Sequence, residues 1–450
     1  MGKPVRFHCA NPSALTLKPT FRLAALLGSA VWLLLGVQAH AAPATITYTH
    51  EHHIFSVSVA RHPEWRGTKR VWFYNGIPAT PPARLLSCGK GDPLEPGWSF
   101  QETAAWDEES IARTLISDVS IKFDREPGSV TISKTSSGTI TFEGNGLTGR
   151  KFNVKEAASL TREALEKNIA NIVMPVTVTQ PQITVKDAEL MEMGIQEVVA
   201  IGESVFAGSP VNRRHNIKVG VDTFNGHLIP KDGIFSFVET LGPVDASTGY
   251  RRELVIQGEQ TIPDYGGGLC QVSSTAYRGP WEYGLPIVQR KNHSYAVSYY
   301  SPQGTDATIY PPNIDMKFKN DTPGALLIQS FVTKDDHAYF IYYGTKDART
   351  SEVFGPYVSN RRSAPKEEKV ILTDDIPPGE KRKAGERHDG MNVLWYRTVK
   401  TASGEAATER IFSAYEARPL TWQLGATAEE IDAAKAGAES ESPSWLPSNE

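Results

Sequence analysis

The residues best suited to covalent chemistry lie in the run Gly266-Gly267-Gly268-Leu269-Cys270-Gln271-Val272-Ser273-Ser274-Thr275-Ala276-Tyr277. Three glycines let the main chain turn tightly and approach a ligand closely. The residues after Cys270 can begin a helix, which would set the thiol at a helix N-terminus, where N–H groups point outward. Such an end favours a thiolate and offers donors to a developing oxyanion. Its strength is limited: about 0.3–1 kcal/mol, up to about 2 when partly buried. At about 1.4 kcal/mol per pKa unit, that lowers a thiol by about one and a half units at most. A neighbouring imidazole is the usual source of the remainder. His293, 23 residues downstream, is the candidate base, because one helix and a return turn can close that separation. Asp306 is the candidate for orienting the ring, assigned by role alone.

Each residue also has an ordinary reading. A lone Cys at a helix start is commonly a small core residue, a lone His a satisfied structural one, and Asp306 a turn or cap. Two further clusters invite attention. His50-Glu51-His52-His53 resembles a metal-binding run, but no Cys or carboxylate stands at ligand spacing, and the segment reads as flexible polar sequence. Ser273-Ser274-Thr275 lacks the Gly-x-Ser-x-Gly elbow of a serine nucleophile and reads as the polar start of a helix.

Around this run the pattern predicts a strand-rich chain. The 37 Gly and 30 Pro imply many turns. Strand character is expected at Ile54–Val59, Val71–Tyr74, Val130–Ser133, Thr139–Phe142 and Val173–Val178, within an irregular segment from about 42 to 124 and a clearer one after it. Asn153 with Glu156 three residues later makes a capping signature for a helix over Val154–Ile169. Ser209-Pro210 opens a second helix, with Ile217, Val221 and Phe224 on one face and Gly226 as its stop. Short strands are expected at Phe235–Val238, Leu254–Ile256, Ser294–Tyr300, Thr308–Tyr310, Asp315–Phe318 and Ala325–Phe331. A hairpin is expected around Ser403-Gly404. Gly279-Pro280 puts the length of the Cys270 helix in doubt.

A net charge of -4, with no Lys/Arg block, gives no footprint for nucleic acid. Lys3, Arg6, Lys18 and Arg22 form a positive region before the apolar run Leu23–Val37, and Ala39-His40-Ala41 follows as a small-x-small site. That run is short for a membrane span, so the N-terminus reads as a signal peptide cleaved after about Ala41, with an uncleaved anchor as the alternative. Either leaves an extracytoplasmic body, in the periplasm or cell wall, with no later transmembrane span. Cys9 falls in the signal, so the mature chain keeps Cys88 and Cys270. Those thiols either pair or leave one for chemistry.

Several blocks in order resemble the VanW family over about Leu190–Lys346. They are Gly208-Ser209-Pro210-Val211-Asn212-Arg213 with His215-Asn216; Asn225-Gly226; Pro230; Gly233-Ile234-Phe235-Ser236-Phe237; Gly242-Pro243; Gly249-Tyr250; Gly266 to Thr275; His293-Ser294; Asp306-Ala307-Thr308; and Phe318-Lys319-Asn320-Asp321-Thr322. Residues from about 130 to 185 resemble the peptidoglycan-binding domain that often precedes VanW. Residues from about 370 to 419 resemble, more loosely, the small glycine-named β-domain that often follows it. The division this implies is 1–41 signal peptide, 42–188 N-terminal region with the wall-binding domain from about 105, 189–346 VanW domain, 347–425 small β-domain and 426–450 disordered tail. The fold class is then α+β and multidomain, with a strand-rich VanW domain whose glycine loop leads into the helix carrying Cys270.

The resemblance implies cell-wall chemistry. Some VanW domains are implicated as L,D-transpeptidases of peptidoglycan, and the nucleophile falls by motif on Cys270. His293 as base and Asp306 as orienter are mechanistic inferences. Gly266, Gly267, Gly268, Gln271, Ser273, Ser294, Arg213 and Asn216 are the candidate substrate-binding residues. The partner is a peptidoglycan stem peptide, and no metal or organic cofactor is required. Two alternatives stay open: an L,D-carboxypeptidase or amidase with the same thiol, and a non-catalytic wall binder.

Overall fold

A computed structural model of the chain describes residues 42–433, apart from Lys90, Gly258, Glu259 and Asp375. The expected signal peptide and most of the expected tail lie outside the described residues; within that tail, residues 428–433 are helical. The chain is α+β and strand-rich, and it divides into two units. Described residues 42–49, 55–123 and 152–176 make one; residues 50–54, 124–151 and 177–433 make the other. Among the described residues no helix is long and apolar enough to cross a membrane.

The first unit is more regular than its sequence suggests. Thr45–His50 pairs in parallel with Asn171–Val173, and Arg66–Tyr74 pairs antiparallel with Trp98–Trp106. Asp107 caps the helix Glu108–Leu115 by accepting the Glu109 N–H, and Asn153 caps Val154–Lys167 by accepting the Glu156 N–H. These two helices pack their apolar faces on Tyr48, Trp65 and Phe152. The expected strand at Val173–Val178 breaks at Met174-Pro175 into Asn171–Val173 and Val176–Thr179, because Pro175 cannot donate to a ladder.

The second unit is built on an antiparallel sheet ordered Glu197–Val205, His337–Gly344, Leu326–Val332, Leu228–Ile229. The helix Leu269–Tyr283 lies against Glu197–Val205. The contact is main chain to main chain: a Cβ on Gly279 would come within 2.8 Å of Gly202 N, and one on Gly202 within 1.9 Å of Thr275 O. This helix runs through Pro280, so the doubt over its length is resolved toward the longer form. Pro280 has no N–H for Ala276 O, and the buried Tyr342 hydroxyl donates to that carbonyl at 2.7 Å instead.

Val211–Thr223 forms the second expected helix, with Ile217 and Val221 buried in the same core as Phe224. Three expected strands fail in whole or in part. Phe235–Val238 is a strand only to Ser236, after which the Ser236 side chain caps a short helix Phe237–Leu241. Ser294–Tyr300 and Thr308–Tyr310 are loops, with a single 3-10 turn at Ser298–Tyr300. The hairpin around Ser403-Gly404 forms from Gly390–Lys400 and Ala406–Tyr415, and Thr350–Arg362 extends it to three strands. Val393, Trp395 and Tyr415 from this hairpin share one core with Trp281, Phe318 and Tyr342.

Candidate active site

Cys270 is the second residue of its helix, and Gly268 is the N-cap. Gly268 sits at φ +113, where side chains rarely go, and a Cβ there would meet Ile217 Cγ1 at 2.9 Å. Asn216 pins the loop: its Nδ2 donates to Gly267 O at 3.2 Å and Arg251 O at 2.9 Å, while its Oδ1 accepts the Arg251 N–H. The first turn is partly spoken for. Leu269 N–H donates to Gly266 O and Gln271 N–H to Gly268 O. Of the first three N–H groups of the helix, these two are committed, and that of Cys270 itself is the remaining candidate oxyanion donor.

The thiol is half-buried and free, so a Cys88–Cys270 disulfide does not form. Its sulfur lies 3.5 Å from Thr308 Oγ1 and 3.7 Å from Ile309 O. Ser274 holds the segment that carries Thr308 to the helix, its Oγ accepting the Ala307 N–H at 2.9 Å.

His293 and Asp306 meet as a tight, buried pair. Asp306 Oδ2 accepts both the His293 backbone N–H at 2.7 Å and Nδ1–H at 2.6 Å. That bond leaves Nε2 as the ring's working nitrogen. Nε2 is buried with no aligned hydrogen bond among the described residues, yet ring and thiol lie close enough that each shifts the other's proton affinity. Tyr300 stacks on the ring at 4.2 Å between centroids. Burial alone would lower the His293 pKa, but Asp306 and the Cys270 sulfur push it up to about 9. Burial alone would raise the thiol, but the His293 imidazolium and the Thr308 hydroxyl bring it below its ordinary value. Asp306, despite burial, is held well below the usual carboxylate range by His293 and Arg290. The lowered thiol and the raised imidazole both favour the thiolate–imidazolium form, in which sulfur is a nucleophile.

The structure therefore brings Cys270, His293 and Asp306 together. It gives other candidates different surroundings. Arg213 bonds Ser209 Oγ at 2.6 Å and Gln271 Oε1 at 2.8 Å, and it lies 4.2 Å over the Tyr299 ring. Gln271 Nε2 donates to Ser204 Oγ and Val205 O. Arg213, Gln271 and Asn216 are thus buried brackets around the glycine loop. Ser273 is buried without a hydrogen-bond partner among the described residues, and Ser294 is half-buried beside His293. Sequence reasoning missed Thr308, Tyr300, Arg290 and Tyr415. Arg290 donates to Asp306 O at 2.6 Å and to its Oδ1 at 3.2 Å, and the Tyr415 hydroxyl donates to the same Oδ1.

The segment His50–His53 is not loose polar sequence. His52 is buried, with Nδ1 2.8 Å from Glu282 Oε1, and His53 Nε2 lies 2.5 Å from Glu203 Oε1. His52, His53 and Glu203 have ligand atoms within 4.8 Å of one another. Arg125 and Arg150 already bond the Glu203 carboxylate, at 2.7 and 2.9 Å. Two guanidiniums supply the positive charge a metal would bring, so the residues present do not fit a cation.

Residues 212–342 match the family model described as "VanW like protein". The chain carries a VanW-family domain. It is 31% identical over 144 residues to "Uncharacterized protein YoaR" of Bacillus subtilis (strain 168), covering 32% of this chain and 47% of that protein. It is 33% identical over 130 residues to "Vancomycin B-type resistance protein VanW" of Enterococcus faecalis (strain ATCC 700802 / V583), covering 28% and 46%. The chain thus spans about half the length of these curated relatives. The solved structure described as "Crystal structure of HP0197-G5" aligns with 17% of this chain and 97% of that one, at 19% identity and a TM-score of 0.09, and carries no argument about fold. Cys270, His293 and Asp306 all fall inside the VanW match, whereas Tyr415 lies outside it.

Proposed function

We propose that this chain is an exported cysteine acyltransferase of the cell wall, an L,D-transpeptidase acting on peptidoglycan stem peptides. The observation that carries the reading is a free thiol at a helix start, coupled to an imidazole whose other nitrogen is held by a buried aspartate. The vancomycin-resistance name of the Enterococcus faecalis relative supports a cell-wall role.

In this mechanism the Cys270 thiolate attacks the carbonyl joining a diamino acid to the terminal D-Ala of a tetrapeptide. The Cys270 N–H, at the positive end of the helix, stabilises the oxyanion. The tetrahedral intermediate collapses, the C–N bond breaks, and the D-Ala amine leaves with the His293 Nε2 proton. A thioester remains on Cys270. The amine of a neighbouring stem then attacks it, His293 takes that proton back, and a direct diamino-acid crosslink forms as the thiolate departs. Asp306 stays ionised throughout and orients the ring. No step calls for a metal.

Purified tetrapeptide muropeptides incubated with the chain test this by product mass. A crosslinked dimer less one D-Ala is the expected product. A monomer less D-Ala would instead mean water is the acceptor. Cys270→Ala should abolish either product while keeping the fold. Unchanged turnover in that variant would sink the thiol mechanism.

A further inference from the structure

The strand Ala406–Tyr415 ends on a side chain that serves the reactive pair, although it lies outside residues 212–342. Tyr415 is 1% exposed. Its hydroxyl donates to Asp306 Oδ1 and accepts the Gly304 N–H at 2.7 Å; a phenol can do both at once. Burial pushes that hydroxyl well above the usual phenol range, so it remains a donor.

The rest of the hairpin grips the same loop. Arg290 Nη1 donates to Ser413 Oγ at 2.9 Å, Asn292 Nδ2 to Ala414 O at 2.8 Å, and the Glu416 N–H to Ser294 O at 2.7 Å. On the neighbouring strand, Trp395 Nε1 donates to Gln303 O at 2.9 Å, and its ring stands 2.7 Å from where a Gly304 Cβ would be. Both ends of the loop from Arg290 to Asp306 are thereby held by the hairpin.

Asp306 needs such a hold. One oxygen serves His293 twice, and the other would otherwise have only the Arg290 contact at 3.2 Å. A carboxylate with one slack oxygen can turn about its Cβ–Cγ bond, and turning breaks the 2.6 Å bond that aims the ring. We infer that the C-terminal hairpin is part of the reactive site and that Tyr415 is a positioning residue, holding Asp306 in the rotamer from which it orients His293. Its consequence for turnover rests on the acyltransferase reading; its effect on the imidazole does not.

The test is Tyr415→Phe in the full chain, which keeps the ring and removes the donor. Histidine-labelled NMR, assigned with His293→Gln, follows the His293 titration. The midpoint should fall by about one pH unit, since the hydrogen-bonded carboxylate is what favours the charged ring. On muropeptides the alkaline fall in kcat should move down by the same unit with KM unchanged, while alkylation of Cys270 at pH 7 should change little, since a ring titrating at about 8 is still about nine-tenths protonated there. Tyr357→Phe, at an exposed tyrosine of the adjoining strand, should move none of these. A His293 midpoint in Tyr415→Phe equal to that of the unaltered chain overturns the inference. Should that variant fold poorly, para-fluorophenylalanine at 415 fills the space of the hydroxyl without supplying a donor. A silent His293 would then be equally fatal. If Cys270 of the unaltered chain alkylates as an ordinary thiol, the acyltransferase reading fails, while the His293 shift still decides the role of Tyr415.

Discussion

Two buried histidine–carboxylate clusters sit in the second unit, and they behave in opposite ways. At His293–Asp306 the imidazole is pushed up to about 9 and faces a thiol. At His52, His53 and Glu203 both imidazoles are pushed down to about 3, chiefly by burial, and face arginines. The residue types are nearly the same. The difference is charge balance. Glu203 is neutralised by Arg125 and Arg150, so no positive charge is wanted from the rings. Asp306 has Arg290 on one oxygen, and the thiolate adds a second negative charge that only a protonated ring answers. Buried histidine is therefore uninformative until every charge facing it has been placed. Cluster membership points to structure in one case and to chemistry in the other.

The largest expected effect breaks the reactive side of this contrast. His293→Gln should lower acyl transfer about 10²–10⁴-fold and return Cys270 alkylation at pH 7 to that of an ordinary thiol. A loss of less than tenfold would mean the imidazole is a bystander. Next, Glu203→Gln removes the buried carboxylate charge that the half-buried Arg125 and Arg150 bond. It should cost roughly 3–5 kcal/mol in urea unfolding and leave the alkylation rate of Cys270 as it was. If that rate changes too, the clusters are coupled and the contrast dissolves.

The smallest effect lies in pH dependence. The thiol sits below its ordinary value, so thiolate persists as pH falls past the range where a free cysteine protonates. Imidazolium persists until pH rises through about 9. Transfer should therefore fall on the alkaline side near 9. His293 in the unfolded chain titrates near 6.5, so its contribution to stability is fully present below that and is lost as pH rises through about 9. Ring signals of His52 and His53 should stay flat from about pH 5 to 8, where neutral rings at the bottom of their range do not titrate. A His52 or His53 midpoint inside that window would sharpen the comparison against us.

How much of this was legible depended on sequence distance. The glycine run, Cys270, His293 and Asp306 could be picked out because residue type and role suffice within a short stretch. The capped helix at Val154–Lys167 and the hairpin at Ser403-Gly404 were readable from local signals. The His50–His53 segment was misjudged because its partners Glu203 and Glu282 lie 150 and 230 positions away. Tyr415 was invisible for the same reason, being 109 positions from Asp306. Ser294–Tyr300 alternates like a strand, but Tyr300 is spent stacking on His293 and the main chain turns to let it. Pro280 looked like a helix stop because the Tyr342 hydroxyl that answers the orphaned carbonyl comes from a distant strand.

The glycine contact between Gly202 and Gly279 has a mechanical meaning. With no side chain interposed, the helix has no cushion on which to rock. Cys270 stands up the axis from that bearing by roughly 13 Å, at 1.5 Å per residue. A tilt of about five degrees would swing the sulfur sideways by about 1 Å, a misplacement large enough to cost a reaction about 10²-fold. A pair of missing methyl groups far below the sulfur thus fixes where it points.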